Sequence, residues 1–147
     1  MMMKTYLKDI NMGFDLMGQK AKNKKGEYFR NNVWWWRNLW IFVTLNCQRI
    51  LTKEEIDYGN WNDGKKIVKQ KAERIVMKLK ETIKNGQAKE FEKQITEVQK
   101  DAIEHNKKLK GGASDPEFDF SEHYPFTVEN LEGFIEFVEN SGGFRIF

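Results

Sequence analysis

Few side chains in this sequence could carry out catalysis. The two histidines, His105 and His123, lie in different segments, and with a single cysteine no spacing of His and Cys predicts a zinc site. His123 precedes Tyr124 in an acidic segment and could act as a general base, which leaves a small hydrolase open as one alternative. The chain contains no nucleophile elbow, phosphate-binding loop or dinucleotide fingerprint. We therefore predict a protein that is not an enzyme and that holds neither a metal nor a cofactor.

The densest group of residues with binding chemistry runs from residue 28 to residue 40 and holds four of the five tryptophans. At a helical step of 3.6 residues, Trp36 and Trp40 share an apolar stripe, so we expect most of the run to be core. Trp34 falls on a different face, and if any tryptophan of this run is exposed, we expect it to be Trp34. Unpaired backbone donors at the entrance of this helix favour an anionic group. The candidate partner-binding residues there are Arg30, Asn31, Asn32, Trp34 and Arg37.

The fifth tryptophan, Trp61, lies in a turn-forming run of Gly, Asn and Asp at residues 59–64. The favoured interpretation is a lid that folds back over the core. The alternative is an exposed anchor in a partner site, because tryptophan is enriched in binding hot spots. Trp61 is therefore the sixth candidate partner-binding residue.

Charge is distributed unevenly along the chain, although its formal net value is only +3. Residues 65–84 hold eight basic and two acidic residues, whereas residues 115–147 hold eight acidic residues and one arginine. The basic stretch, together with a lysine-rich loop at residues 19–26, could neutralise the phosphates of a nucleic acid. The acidic stretch could mimic phosphate charge or pair with the basic helix of the same chain. The candidates for binding nucleic acid or another anionic partner are Lys65, Lys66, Lys69, Arg74 and Lys78.

Several helices are needed to position these residues. Apolar spacing predicts a central Trp-rich helix from residue 33 to about residue 51, followed by a short helix that a capping box of Thr52 and Glu55 opens. Two amphipathic helices at about residues 65–109 are expected to form an antiparallel helical hairpin with coiled-coil packing. After an extended aromatic segment, a C-terminal helix begins behind Thr127 and ends before Gly142.

A small β element completes the predicted fold. Short apolar runs at residues 14–17 and 144–147 are strand candidates, and we expect them to pair in a two-stranded sheet that joins the N- and C-terminal segments. The predicted fold class is therefore mainly α, of the α+β kind, with a single domain at residues 12–147. Residues 1–11 are expected to be a dispensable leader, and residues 19–26 a mobile basic loop.

Composition agrees with one folded domain. Of the 147 residues, 39% are hydrophobic, 32% are charged and only two are prolines. The single cysteine excludes an intrachain disulfide framework, and no apolar run approaches the roughly 20 residues of a membrane span. The first residues lack the apolar core of a signal peptide. These features predict a cytoplasmic protein without a membrane partner.

Five short motifs resemble those of a family of small, uncharacterised bacteriophage and prophage proteins. The motifs are MGFD at residues 12–15, YFRNNVWWWR at 28–37, GNWN at 59–62, HYPF at 123–126 and SGGF at 141–144. Because small non-enzymatic phage proteins often act by binding a host complex, the resemblance implies an inhibitor of a host defence complex in the bacterial cytoplasm. An anti-CRISPR protein that acts on an RNA-guided nuclease or its guide RNA would be such an inhibitor.

The expected partner is thus a host protein or ribonucleoprotein complex. A second possible function is that of a nucleic-acid-binding accessory protein, which would use the Lys-rich helix at residues 65–84. The third is the small hydrolase centred on His123.

Overall fold

The computed structural model describes residues 13–147, and the predicted leader at residues 1–11 lies outside this part. The helices are α1 (Val33–Asn46), α2 (Lys53–Tyr58), α3 (Lys69–Lys84), α4 (Gln87–Lys107) and α5 (Val128–Ser141). The strands are β1 (Gly13–Gly18), β2 (Tyr28–Asn32), β3 (Lys65–Ile67) and β4 (Phe144–Ile146). The predicted combination of a mainly helical domain with a small sheet is confirmed. Among the described residues, no helix has the length and apolar character that a membrane crossing requires.

The sheet has four strands, so the prediction of two strands is wrong. The strands lie in the order β2-β1-β4-β3, and all neighbours are antiparallel. The predicted pairing of the terminal strands is confirmed, since Leu16 lies opposite Ile146. The other two strands are only five and three residues long and lead directly into α1 and α3. The sequence alone places residues 28–32 at the entrance of the central helix and residues 65–67 in a following helix, so neither strand is predicted from it.

One face of the sheet packs on α1 and α5. On this inner face Leu16, Ile67 and Phe144 are fully buried. Phe29 of β2 approaches Phe134 of α5 edge-on, at 5.8 Å between ring centroids. The helices therefore cover the sheet from one side.

α1 is shorter than its apolar stripe predicts. It begins at Val33, where the Asn32 side chain accepts a hydrogen bond from Trp35 N at 3.0 Å and caps the first turn. It ends at Asn46 rather than near residue 51, and Cys47 leaves the helical conformation. Backbone bonds from residues 50 and 51 to the Cys47 carbonyl close a turn instead. The apolar residues of this turn still pack on the core, which is why periodicity alone extends the helix too far.

Two stacked indole rings occupy the centre of the core. Trp36 and Trp40 stack at 5.3 Å between ring centroids, and Phe14 of β1 stacks on Trp36 at 5.1 Å. The Trp36 indole N–H donates to the Gly59 carbonyl at 2.8 Å. The Trp40 indole N–H donates to the Ile56 carbonyl, also at 2.8 Å. Because a buried donor without a partner costs about 1 to 3 kcal/mol, these bonds determine where the segment around the end of α2 lies on α1.

The predicted helical hairpin is matched only in part. α3 and α4 are consecutive, and Gly86 joins them with a positive φ of 86°. α3 begins at Lys69 rather than at residue 65 and packs mainly on α5. α4 packs mainly on a short 3-10 turn at Phe120–His123. The coiled-coil expectation fails because the aromatic segment after α4 takes up its apolar side, where Phe91 contacts Phe126 at 4.7 Å between ring centroids.

The predicted capping box at the start of α2 is confirmed, and a lysine of α3 extends it. Thr52 Oγ1 accepts a hydrogen bond from Glu55 N at 3.1 Å, and Glu55 Oε1 accepts one from Thr52 N at 2.9 Å. Lys71 Nζ donates to the same Glu55 oxygen. Burial would raise the pKa of Glu55, but the bonds from Lys71 and Thr52 outweigh it, so the pKa lies below its ordinary value of 4.5.

We expect Glu55→Gln to destabilise the protein by about 1 to 2 kcal/mol near neutral pH, because the amide loses the charged bond with Lys71. The contribution of Glu55 is fully present above its unfolded pKa of 4.5 and is lost as the pH falls through the lower folded value. Thermal melts of the two proteins should therefore converge at acid pH. A stability difference that stays constant down to about pH 3 would contradict this role of the carboxylate.

Packing excludes a side chain at Gly59. Its backbone angles, φ −78° and ψ −10°, suit any residue, but an added Cβ atom would lie 2.0 Å from Trp40 Cε2. We expect Gly59→Ala to destabilise the protein by about 2 to 3 kcal/mol in chemical denaturation, because the buried indole has no space into which it can move.

Gly133→Ala is the matched control for this substitution. Gly133 lies inside α5, and an added Cβ atom would meet Phe29 Cε2 at 3.5 Å, which is an ordinary contact. Alanine should stabilise the helix there by about 0.5 to 1 kcal/mol. Equal effects of the two substitutions would refute the packing argument.

Candidate binding surface

The face of the sheet opposite the helices carries cationic and aromatic side chains. Successive side chains of a strand point to opposite faces. Since Leu16, Ile67 and Phe144 point into the core, their neighbours in the paired strands point outward. Phe147 joins this set because it exchanges two backbone hydrogen bonds with Asp15. We call the following residues the outer sheet face: Asp15, Met17, Tyr28, Arg30, Lys66, Arg145 and Phe147.

The apolar members of the outer sheet face are open to solvent. Tyr28 is 49% exposed, Phe147 43% and Met17 41%. Tyr28 belongs to β2 and Phe147 follows β4, and β1 lies between these strands. Tyr28 lies opposite Met17, whereas Phe147 lies opposite Asp15, two residues further along β1. With strands about 4.8 Å apart and a rise of about 3.4 Å per residue, the two aromatic residues stand about 12 Å from each other. The face therefore presents two separate rings.

Asp15 joins Tyr28 and Arg30 at one side of the face. Arg30 Nη1 donates to both Asp15 carboxylate oxygens at 2.9 Å, and the Tyr28 hydroxyl donates to Oδ1. Burial would raise the pKa of Asp15, but the bonds from Tyr28 and Arg30 lower it below its ordinary value of 3.8. The bond to Asp15 in turn raises the pKa of Tyr28 above 10.0. Because the Tyr28 backbone pairs with Met17 while its hydroxyl reaches Asp15, the ring leans along the sheet in a fixed direction.

Lys66 and Arg145 form the cationic side of the face. They lie opposite each other on β3 and β4. Arg145 Nε donates to Gln19 Oε1 at 3.1 Å, and Nη1 donates to the Gly64 carbonyl at 2.9 Å. Within residues 13–147 neither cation forms a salt bridge with a carboxylate. These two side chains therefore give the face an excess of positive charge.

Trp61 is 68% exposed, so the predicted lid is wrong and the alternative of an exposed residue agrees with the structure. Its turn passes over Trp40 at Gly59, and the buried indole of Trp40 already covers the core there. Gly64 N, at the end of the turn, donates to the Ile146 carbonyl at 2.6 Å. The turn that carries Trp61 is therefore attached to the edge of the sheet next to Phe147.

The structure divides the residues predicted at the entrance of α1. Arg30 belongs to the outer sheet face, whereas Asn31 points inward. The Asn31 side chain exchanges two amide hydrogen bonds with Asn130 of α5, at 3.0 and 2.8 Å. Asn32 is the cap of α1 and already accepts a first-turn N–H. Successive side chains of β2 thus point to opposite faces of the sheet, which separates Arg30 from Asn31. The prediction of a helix entrance does not include this alternation.

Trp34 and Arg37 come together elsewhere, against the segment that follows α4. Trp34 is half-buried rather than exposed, because its ring packs on His123 and Tyr124 at 5.2 and 5.0 Å between ring centroids. The guanidinium carbon of Arg37 lies 4.4 Å from the centroid of the Tyr124 ring. Arg37, Asn38 and Tyr124 also line an open groove of about 320 Å³, and the Asn38 side chain donates to the Tyr124 carbonyl at 2.7 Å.

The five basic candidates lie on two elements, β3 and α3: Lys65, Lys66, Lys69, Arg74 and Lys78. Two of the three on α3 have acidic neighbours on the same helix. Lys69 Nζ lies 3.9 Å from Glu73, and Lys78 Nζ lies 3.7 Å from Glu81. Lys66 is the candidate that joins the outer sheet face.

The acidic side of α5 pairs with basic residues of the same chain. Lys25 Nζ lies 3.0 Å from Glu136, and Lys80 of α3 forms an ion pair with Glu139. Of the two interpretations of the acidic stretch, intrachain pairing agrees with these contacts. The connection at residues 19–26 is packed rather than free, because its backbone donates hydrogen bonds to the carbonyls at the end of α5.

The histidines and the cysteine are held by structural contacts. His123 packs against the rings of Trp34 and Phe118, and His105 Nε2 lies 2.7 Å from the Glu117 carbonyl oxygen. Burial raises the pKa of the Cys47 thiol to about 12, so little reactive thiolate forms. Within residues 13–147, His, Cys, Asp and Glu side chains form no group of three or more that could hold a metal ion.

No protein-family model, curated protein or solved structure matches this chain. Sequence reasoning identified Arg30 and Lys66 as candidates but missed the other five members: Asp15, Met17, Tyr28, Arg145 and Phe147. The signal that finds them is two-residue alternation along β1, β2 and β4, which is informative once the strand pairing is known.

The bond between Asp15 and Tyr28 predicts an abnormal tyrosine. We expect Tyr28 to ionise above pH 10.0, because ionisation breaks the bond and places two negative charges side by side. The difference between alkaline absorbance titrations of the native protein and of Tyr28→Phe isolates this group. Asp15→Asn should bring the pKa back toward 10.0. An unshifted Tyr28 in the native protein would show that the cluster does not form in solution.

Proposed function

We propose that this protein is a non-enzymatic binding protein that inhibits a host defence complex, and that it contacts this complex through the outer sheet face and Trp61. The observation that supports the proposal best is the composition of that face: two exposed rings, an exposed methionine and two cations that form no salt bridge within residues 13–147. Aromatic residues, methionine and arginine are enriched in protein interfaces, and grouped exposed apolar side chains mark interaction sites.

Trp61 adds an anchor beside this face. Its indole contributes little to the core, since most of its surface is open to solvent. Binding would bury that surface, which is how tryptophan becomes a hot spot of an interface. The bond from Gly64 to Ile146 holds the turn against the sheet, so the anchor and the face can contact one partner together.

The resemblance to small bacteriophage and prophage proteins supports a bacterial defence complex as the partner, in the cytoplasm of the host cell. We favour an RNA-guided nuclease, which would make the protein an anti-CRISPR. Such a complex presents the phosphates of its guide RNA as well as protein surface. Lys66 and Arg145 offer the complementary charge.

The alternative of an accessory protein that binds nucleic acid through its Lys-rich helix has less support. Along α3, Lys69 and Lys78 neighbour acids of their own helix, and Lys80 pairs with Glu139 of α5. These acids reduce the positive potential that a phosphate backbone would meet.

The test uses bacteria in which an RNA-guided nuclease restricts a phage. Expression of the native protein should restore plaque formation. If Trp61 is a hot spot, Trp61→Ala should weaken binding of the protein to the nuclease complex about 30-fold or more. The plaque count should fall accordingly. Lys66→Glu should also weaken this binding and lower the plaque count. Both side chains are exposed, so neither substitution should unfold the domain, which thermal melts can check.

Two matched control variants change exposed side chains away from the face. Lys93→Glu reverses the same charge on α4, and Phe120→Ala removes a ring that is 48% exposed. Both should restore plaques as well as the native protein does. If the native protein restores no plaques in any defence system, the proposed function is wrong. If the controls lose activity to the same degree as the test variants, the assigned surface is wrong.

A further inference from the structure

We infer that the outer sheet face binds single-stranded RNA. This inference rests on the proposed function, and it identifies the guide RNA as the part of the defence complex that the face contacts. Four features carry this inference: the separation of the two rings, the fixed direction of one of them, the excess positive charge, and a carboxylate in the middle of the face. Together they fit the base, the phosphate and the ribose of one extended strand.

The rings supply surfaces on which bases can stack. Tyr28 and Phe147 are both open to solvent and lie two strands apart, with β1 between their strands. Every base has a flat face, so such rings accept successive bases of a strand without regard to sequence. The bond from Tyr28 to Asp15 orients one ring before RNA binds, which reduces the entropy lost on binding.

The excess positive charge lies toward the β3 side of the sheet, whereas Asp15 and Arg30 lie among the rings. Arg30 and Asp15 neutralise each other, and the excess charge comes from Lys66 and Arg145 on β3 and β4. A strand whose bases stack on Tyr28 and Phe147 can place its phosphates along this cationic edge. The basic β3 edge and the Trp61 turn that precedes it then lie on the path of the strand.

Asp15 is the feature that favours RNA over DNA. A carboxylate in an anion-binding face repels phosphate groups, but it accepts hydrogen bonds from hydroxyl groups. It offers about four acceptor sites. Tyr28 and Arg30 fill two on Oδ1, and Arg30 fills one on Oδ2. Among the residues that the structure describes, no further donor binds Oδ2, and its remaining site can accept a hydrogen bond from a ribose 2′-hydroxyl, which DNA lacks.

A duplex fits this face poorly. The exposed rings have no contact with stacked and paired bases, because a double helix presents its phosphates outward. The cations alone would then have to hold the duplex. A single strand uses the rings, the cations and the carboxylate together.

The experiment measures the fluorescence anisotropy of a labelled oligouridine RNA of about 10 nucleotides with the purified full-length chain. The same sequence as DNA and an RNA duplex serve as competitors. We expect binding that weakens with salt. DNA should bind about 10-fold more weakly than RNA, because the charged hydrogen bond is lost. Duplex RNA should compete more weakly than single-stranded RNA.

Three variants test the assigned roles. Phe147→Ala keeps the backbone bonds to Asp15 and should weaken RNA binding about 5- to 100-fold. Lys66→Glu should weaken binding of RNA and DNA alike. It should also reduce the slope of log affinity against log salt concentration by about the amount that one phosphate contact contributes. Asp15→Asn should reduce the preference for RNA over DNA. The controls Phe120→Ala and Lys93→Glu should bind RNA as the native protein does.

Each outcome decides the inference. Loss of RNA affinity in the face variants but not in the controls supports it. Absence of RNA binding, equal affinity for DNA, or equal losses in the controls overturns it. If RNA fails to bind while Trp61→Ala and Lys66→Glu still abolish the inhibition of defence, the proposed function stands and the face contacts protein instead. If RNA binds as expected but no defence system is inhibited, the proposed function is wrong and the RNA site remains.

Discussion

The stack of Phe14, Trp36 and Trp40 is the interaction on which the rest of the structure depends. It joins β1 to α1, and its two indole N–H groups bind the carbonyls around the end of α2. A buried indole N–H without a partner is costly, so the chain after α2 has one place to lie. That placement leads the turn back to the edge of the sheet, where Gly64 bonds to Ile146. The exposed position of Trp61 is thus a consequence of how the other tryptophans are buried.

Because the helices of residues 13–147 cover the sheet from one side, its two faces have different chemistry. The inner face carries mostly apolar side chains. Its polar members include Asn31, whose amide is satisfied by Asn130, and Lys65, which lies opposite Ile146 at the β3 edge and stays exposed. The outer face exposes the apolar side chains of Tyr28, Met17 and Phe147 to solvent. The Asp15 and Arg30 pair holds Tyr28 in place without covering it. Exposed rings on a rigid sheet are suited to a contact that forms without rearrangement of the backbone.

The candidate site could be predicted in part. Arg30 and Lys66 could be predicted from their charge, and Trp61 from its position in a turn of polar residues. Tyr28 was not, because the run from residue 28 fits a helix entrance as well as a short strand, and the two interpretations send alternate side chains to different places. Trp34 shows the same limit. It lies on a different face of α1 from Trp36 and Trp40, as the sequence predicts, but the aromatic segment that covers it comes from residues 118–124. Partners so distant in sequence leave no local signal.

The sequence by itself determined the features that depend on close neighbours. The capping box at Thr52, the cap of α5 at Thr127 and the left-handed stop at Gly142 follow from side chains within about four residues of each other. It also determined that the terminal apolar runs are strands. Only the tertiary structure decided that four strands meet, that α3 and α4 pack on different partners, and which side chains form the outer face. The physical reason is that strand register and helix packing are chosen by contacts between distant segments, and the same apolar pattern satisfies several such arrangements until one core is packed.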